Sequence, residues 1–331
     1  MEKKEIDKFN MHKVIVDSPE QLEKGLLLAE NIKQEGDFKN IIICGIGGSA
    51  LPANILNTIA KTKIPIFIQR DYGLSKEANE KSLVICISYS GNTEEALSGL
   101  KEALDRNLKI ICLSSGGKIE EICTEKNIPF VKIPSGIQPR SATGYIFASL
   151  AKVLINSNLI EDISDEIIQA SIELKKINKE IEKQGEDLAK KLSGKIPVIY
   201  TSNEFKSIGR IWKIKFNENS KIPAFYNYFP ELNHNEMVGF SEIEKGNNFY
   251  FIIIKDDQTN PRNLKRMDLL GEILREKGSN VSFLDIKNGS LTSKVFSILT
   301  FGDWTSYYLA LEYKIDPTPV KMVEDFKKKL G

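Results

Sequence analysis

The sequence predicts an α/β protein made of two doubly wound parallel-sheet domains with covering helices. Three observations carry that expectation. Short apolar runs alternate with helix-periodic segments, the order of a parallel sheet covered on both faces. The alternation occurs twice, on either side of a charged, helix-periodic stretch. The chain has 331 residues, enough for two domains of about 150 residues, each with a core.

In the first half the strand-like runs are Ile41-Ile42-Ile43-Cys44, Ile64-Pro65-Ile66-Phe67-Ile68, Leu83-Val84-Ile85-Cys86-Ile87, Ile110-Ile111-Cys112-Leu113 and Phe130-Val131-Lys132-Ile133. Ala50 to Ala60 and Thr93 to Leu104 have helical spacing. From Glu161 to Ser193 the Lys/Glu pattern reads as one or two connecting helices with a solvated face. Pro197 to Tyr200 begins the second half as a strand. Phe205, Ile208, Ile211, Trp212 and Phe216 then form a helical stripe. Phe249 to Ile254 and Val281 to Ile286 are further strands, Phe301 to Glu312 is an apolar helix, and Val320 to Leu330 is a terminal amphipathic helix. The expected division is 1–155, a connecting segment 156–193, and 194–331. Trp212 and Trp304 read as core, and His12 receives no role.

Composition excludes several classes. A net charge of +1 gives no argument for nucleic acid or an anionic membrane. No apolar run approaches a membrane span. The charged start, Met1-Glu2-Lys3-Lys4-Glu5, lacks a signal-peptide core and favours the cytoplasm. Cys44, Cys86, Cys112 and Cys123 have no C-x-x-C spacing and read as small buried thiols. With only two histidines, a His-rich zinc centre is excluded, and no metal or cofactor is expected.

The most informative stretch is Ser88-Tyr89-Ser90-Gly91-Asn92-Thr93-Glu94-Glu95, which joins a buried strand to a helix. Three hydroxyls (Ser88, Ser90, Thr93) lie where a helix presents unpaired N–H groups and its positive dipole end. Gly91 permits close backbone approach, and Asn92 with Glu95 has capping-box spacing. No lysine lies in the loop, so the expected guest is a small phosphate ester, not a nucleoside triphosphate. An ordinary capped turn is the plain alternative. The turn Gly45-Ile46-Gly47-Gly48-Ser49-Ala50 also fits G-x-G-x-x-A, the dinucleotide fingerprint, with Asp71 as a ribose partner. Gln69 and Arg70 fill the acid position more directly, and a dinucleotide site does not need the second hydroxyl turn.

Together, Gly45-Ile46-Gly47-Gly48-Ser49 and Ser88-Tyr89-Ser90-Gly91-Asn92-Thr93 resemble the sugar-isomerase (SIS) domain. Three further stretches resemble one branch, the bifunctional phosphoglucose/phosphomannose isomerases: Pro134-Ser135-Gly136-Ile137-Gln138-Pro139-Arg140, Phe216-Asn217-Glu218-Asn219-Ser220-Lys221, and Phe229-Pro230-Glu231-Leu232-Asn233-His234-Asn235-Glu236. The similarity spans roughly residues 40–330. It implies two SIS domains and an aldose–ketose isomerase acting on glucose 6-phosphate and mannose 6-phosphate through a cis-enediol.

The resemblance also implies site residues. Gly47, Gly48, Ser49, Ser88, Ser90 and Thr93 would hold the phosphate of a phosphorylated hexose. Glu218 corresponds to the family's proton-transfer residue; from position alone it reads as a surface Glu in a polar turn, near a helix C-terminus that opposes its ionisation. His234 would open the sugar ring, contributed across the interface of a homodimer; by itself a loop histidine is an ordinary surface residue. Arg140 would stabilise the enediolate, where the plain alternative is a surface salt bridge. Lys327 would contact the ring oxygen, in competition with Lys321, Lys328 and Lys329. Thr318 and Pro319 are candidates for shaping the space around the C2 hydroxyl. A non-catalytic phosphosugar-binding regulator is the main alternative. Regulators of this type usually carry a basic helix-turn-helix domain, which residues 1–40 do not resemble.

Overall fold

The computed structural model describes residues 3–242, 247–286 and 289–330. Two compact units are present. One holds Asp17–Lys176 with Ser290–Ser293. The other holds the chain up to Val16, Ile177–Gly289, and the chain from Lys294.

The first unit is built on five parallel strands, β1 (Asn40–Cys44), β2 (Ile66–Gln69), β3 (Ser82–Ile87), β4 (Lys109–Ser114) and β5 (Phe130–Lys132), in the order β2-β1-β3-β4-β5. β1 and β3 are buried along their whole length, as their unbroken apolar runs require of strands covered on both faces. Helices Leu51–Ile59, Glu94–Asp105 and Gly117–Lys126 follow β1, β3 and β4. Helix Glu20–Leu28 packs on helix Thr143–Asn156, and the approach is close enough that a Cβ on Gly25 would lie 2.6 Å from the Tyr145 carbonyl oxygen. Cys44, Cys86 and Cys112 stand in one row across β1, β3 and β4, all buried. Neighbouring thiols and burial raise their pKa values, so they are inert.

The second unit carries four parallel strands, β6 (Ile196–Ser202), β7 (Phe225–Phe229), β8 (Phe249–Asp256) and β9 (Asn280–Ile286), in the order β7-β6-β8-β9. Helix Lys206–Lys215 joins β6 to β7, and Pro261–Glu276 joins β8 to β9. Both tryptophans are core. Trp212 Nε1 donates to the Ile298 carbonyl at 3.0 Å and Trp304 Nε1 to Asn178 Oδ1 at 2.8 Å. No helix among the described residues is long and apolar enough to cross a membrane.

Three features depart from the sequence expectation. The chain up to Val16 belongs with the second sheet, not the first. Buried Asp7 accepts from the Met11 and His12 amides and from the Tyr307 hydroxyl, which ties this segment to helix Leu291–Glu312. The connection is one helix, Ser164–Leu192, within the expected one or two, but the unit boundary falls inside it. Helix Leu291–Glu312 begins ten residues before the expected start at Phe301, because Thr292, Ser293 and Lys294 are buried with partners distant in sequence.

Candidate active site

Four turns meet beyond the carboxyl end of the first sheet, the edge at which parallel α/β sheets bind ligands. Glycines bring them together. A Cβ on Gly48 would sit 2.8 Å from the Arg140 amide nitrogen and 2.9 Å from the Pro139 carbonyl carbon. The turn after β1 therefore lies on the Pro139–Ser141 3-10 turn. Gly91 has φ +72°, and a Cβ there would fall 1.7 Å from the Gly116 carbonyl oxygen, so only glycine fits. Gly47, at φ +55°, lets the first turn reverse.

Tyr89 links three of these turns. Its amide donates to Ser49 Oγ at 3.0 Å, its hydroxyl donates to the Pro134 carbonyl at 2.9 Å, and its carbonyl accepts from the Ser115 hydroxyl at 2.6 Å. Burial raises the Tyr89 pKa, which keeps the phenol protonated as a donor. Sequence reasoning missed this role, although Tyr89 lies inside the hydroxyl-rich turn, between Ser88 and Ser90.

The hydroxyls divide into two kinds. Ser88 is fully buried; its Oγ accepts from the Gly91 amide at 3.1 Å and shares a hydrogen bond with Thr93 Oγ1 at 2.8 Å. Ser49 is buried too and already accepts from an amide, which leaves its O–H as a donor. Ser90 is exposed and Thr93 half-buried. Helix Glu94–Asp105 starts after Thr93 without a side-chain cap. The expected capping box does not form: Asn92 Oδ1 instead accepts from the Lys118 amide at 3.0 Å. The first turn of this helix thus keeps amides for an anion.

Arg140 is 3% exposed, so it is not a surface salt-bridge residue. Its Nη1 lies 3.4 Å from Gln138 Oε1, and its carbonyl accepts from the Thr143 hydroxyl at 3.0 Å. Arg140 thus shares the first unit with Gly47, Gly48, Ser49, Ser88, Ser90 and Thr93.

Glu218, His234 and Lys327 belong to the second unit. The helix carrying Glu218 widens into a π turn, Phe216–Ser220, a distortion common at functional sites. The turn is held from both sides of Glu218. Asn217 Nδ2 donates to the Ile222 carbonyl at 2.9 Å, Asn219 Nδ2 to Ser306 Oγ at 3.0 Å, and Ser220 Oγ to the Ser306 carbonyl at 2.7 Å. Lys221, in the left-handed conformation at φ +58°, ends the turn. Its ammonium donates to the Glu218 carbonyl and, at 3.0 Å, to the Pro317 carbonyl beside Thr318. Glu218 itself is half-buried.

His234 is exposed at the end of a 3-10 turn, Glu231–His234, which fully buried Leu232 anchors. Lys327 lies on helix Lys321–Leu330, none of whose residues is buried. Lys321, Lys328 and Lys329 are equally exposed, so the fold does not select among them.

Comparison with known proteins shows the family. Residues 181–330 match the family described as the bacterial phospho-glucose isomerase C-terminal SIS domain. A bifunctional phosphoglucose/phosphomannose isomerase from Caldicellulosiruptor bescii is 37% identical over 97% of this chain and 99% of its own. One from Aquifex aeolicus is 35% identical over 88% of this chain and 91% of its own. Among solved structures, the C-terminal domain of glucosamine-fructose-6-phosphate aminotransferase from Francisella tularensis superposes with a TM-score of 0.66 at 20% identity. That superposition covers 93% of this chain and 97% of the other, and it shows a shared fold. By the identity and coverage of these relatives, the chain belongs to the bifunctional phosphoglucose/phosphomannose isomerase family.

Proposed function

We propose that the protein interconverts glucose 6-phosphate and mannose 6-phosphate with fructose 6-phosphate through a cis-enediol, as a cytoplasmic homodimer. The observation that carries the reading is the hydroxyl-lined end of the first sheet, where the uncapped helix at Glu94 and the O–H donors of Ser49, Ser90 and Thr93 suit a phosphate ester. Ser88 supports that cradle from beneath by fixing Thr93. Four free buried thiols suit a reducing compartment.

The chemistry follows from what the remaining groups can do. His234 moves a proton between O1 and the ring oxygen as the ring opens, with Lys327 at that oxygen. The Glu218 carboxylate then takes the proton from C2 of the open aldose. The electron pair left behind forms the C1–C2 double bond, and the aldehyde oxygen gains negative charge and then a proton. Arg140, a fixed charge held in a buried turn, stabilises that anion. Return of the proton from Glu218 to C1, with loss of the O2 proton, gives the ketose. The planar enediol has no C2 configuration, so reprotonation at C2 from either face yields glucose or mannose 6-phosphate from one site. The exposure of His234 on its own unit fits donation to a second subunit.

The test is fructose 6-phosphate incubated with chelator-treated protein in deuterated water and followed by NMR. Glucose and mannose 6-phosphates carrying deuterium at C2 are the expected products. Binding of the phosphosugar without either product overturns the catalytic reading in favour of a sensor.

A further inference from the structure

We infer that Glu236 is a positioning residue for His234; this rests on the reading of His234 as the ring-opening group. His234 ends one 3-10 turn, and Glu236 begins the next, Glu236–Phe240. The Glu236 carboxylate bridges two strands. One oxygen accepts from the Tyr200 hydroxyl of β6 at 2.7 Å, and the other from the side-chain amide of Asn227 in β7. Tyr200 is fully buried, and burial together with the Glu236 charge raises its pKa, so the phenol stays a donor. On the other side of His234, Leu232 is fully buried in the same core as Tyr200. His234 is therefore exposed between two fixed points two residues away on either side.

Packing does not hold the second point by itself. A cavity of about 460 Å³, lined by Val198, Phe225, Tyr226, Phe240 and Phe249, opens beside Glu236. Against that space, the two charge-assisted hydrogen bonds set the course of the chain after His234. An imidazole that must reach a sugar oxygen needs such a constraint, because small displacements of a proton donor cost rate steeply.

The test separates ring opening from binding. Exchange between the α and β anomers of glucose 6-phosphate, read by NMR, reports ring opening alone when the Glu218→Gln background removes isomerisation. In that background Glu236→Gln is expected to slow catalysed anomer exchange by about tenfold or more, with phosphosugar Kd changed by less than about twofold. Tyr200→Phe keeps the ring in the core and removes one donor; a smaller loss with the same selectivity is expected, and it carries the test if Glu236→Gln fails to fold. Unchanged exchange in both variants, or exchange and binding lost together in both, overturns the inference. His234→Ala tells the two levels apart. If it slows exchange and the Glu236 and Tyr200 variants do not, only the role of Glu236 falls. If His234→Ala leaves exchange intact, the ring-opening reading falls and takes this inference with it.

Discussion

The two sheets share a strand pattern but carry different groups at their carboxyl ends. In each, the first strand in the chain lies between the second and the third. In the first unit, the turns after β1 and β3 are Gly45–Ser49 and Ser88–Thr93, rich in glycine and hydroxyls. In the second unit, β8 ends at Asp256 and its turn begins with Asp257, Gln258 and Thr259. There the 2%-exposed Lys294 ammonium lies 3.2 Å from Asp256 Oδ2 and also pairs with Asp257. One turn presents amides and hydroxyls at an uncapped helix start; the other is filled by a lysine of its own chain. The two turns thus differ in the charge they hold: a buried lysine sits against the carboxylates of one, and the other is built of glycines and hydroxyls. The second unit carries instead the π turn of Glu218 and the loop of His234, the two groups proposed for proton transfer.

The division of labour can be broken most sharply at Glu218. Glu218→Gln should lower turnover by about 10⁴-fold, at the upper end for a lost general base, and leave phosphosugar affinity within about tenfold. Steady-state kinetics and calorimetry on the same preparation give both numbers. Near-normal turnover would remove Glu218 as the base.

Lys294 tests the filled turn. Lys294→Ala leaves Asp256 buried without its counter-charge, and a loss of about 3–5 kcal/mol in urea unfolding is expected. Phosphosugar affinity of the folded protein should not change, since no phosphate role is assigned to the second sheet. Burial works against the Lys294 charge, but the Asp257 and Asp256 carboxylates outweigh it and hold its pKa above the ordinary 10.5. Its stabilisation is therefore complete below that pH and is lost only as pH rises through the raised value. A large affinity loss in Lys294→Ala would mean that the second sheet's turn takes part in binding.

This buried lysine also shows where the sequence stops being readable. β1, β3, β4, β6 and β8 were legible because strands covered on both faces must be apolar throughout. The hydroxyl-rich turn at Ser88–Thr93 was legible as a strand-to-helix junction because its groups all come from one short segment. Lys294 was not, because its partner Asp256 lies 38 residues earlier and a buried pair looks like surface polarity in one dimension. β7 was missed because Phe225 and Tyr226 are exposed and the strand is an edge. Capping-box spacing at Asn92 misled because tertiary structure offered its side chain the Lys118 amide. The burial of Arg140 depends on Gly48, some ninety residues away, being small enough to lie beneath it. His12, given no role, lies 2.9 Å from Glu182 in the second unit, a contact with no local signature.

Thr93 sharpens the other side of the comparison. Thr93→Val removes the hydroxyl that pairs with Ser88 and faces the helix start, while keeping the β-branched shape. Phosphosugar affinity should fall by about tenfold, the scale of one hydrogen bond to a charged group, with kcat at saturation less affected. A fall in kcat alone would move Thr93 from phosphate binding to the chemical step.

The smallest effect expected concerns two tyrosines with parallel roles. Tyr200 reaches from β6 to the loop of His234, and Tyr89 reaches from the end of β3 to the loop that leads to Arg140. Tyr89→Phe deletes the hydrogen bond to the Pro134 carbonyl but leaves the Tyr89 amide on Ser49 Oγ. The cost should be about 1 kcal/mol, seen as a modest rise in KM, because the neutral phenol anchors the loop without touching substrate. Tyr200→Phe should act instead on ring opening, with KM little changed. If the two variants gave the same kinetic signature, the assignment of binding to one sheet and proton transfer to the other would fail. Opposite signatures would place that division at the level of the loops each sheet supports.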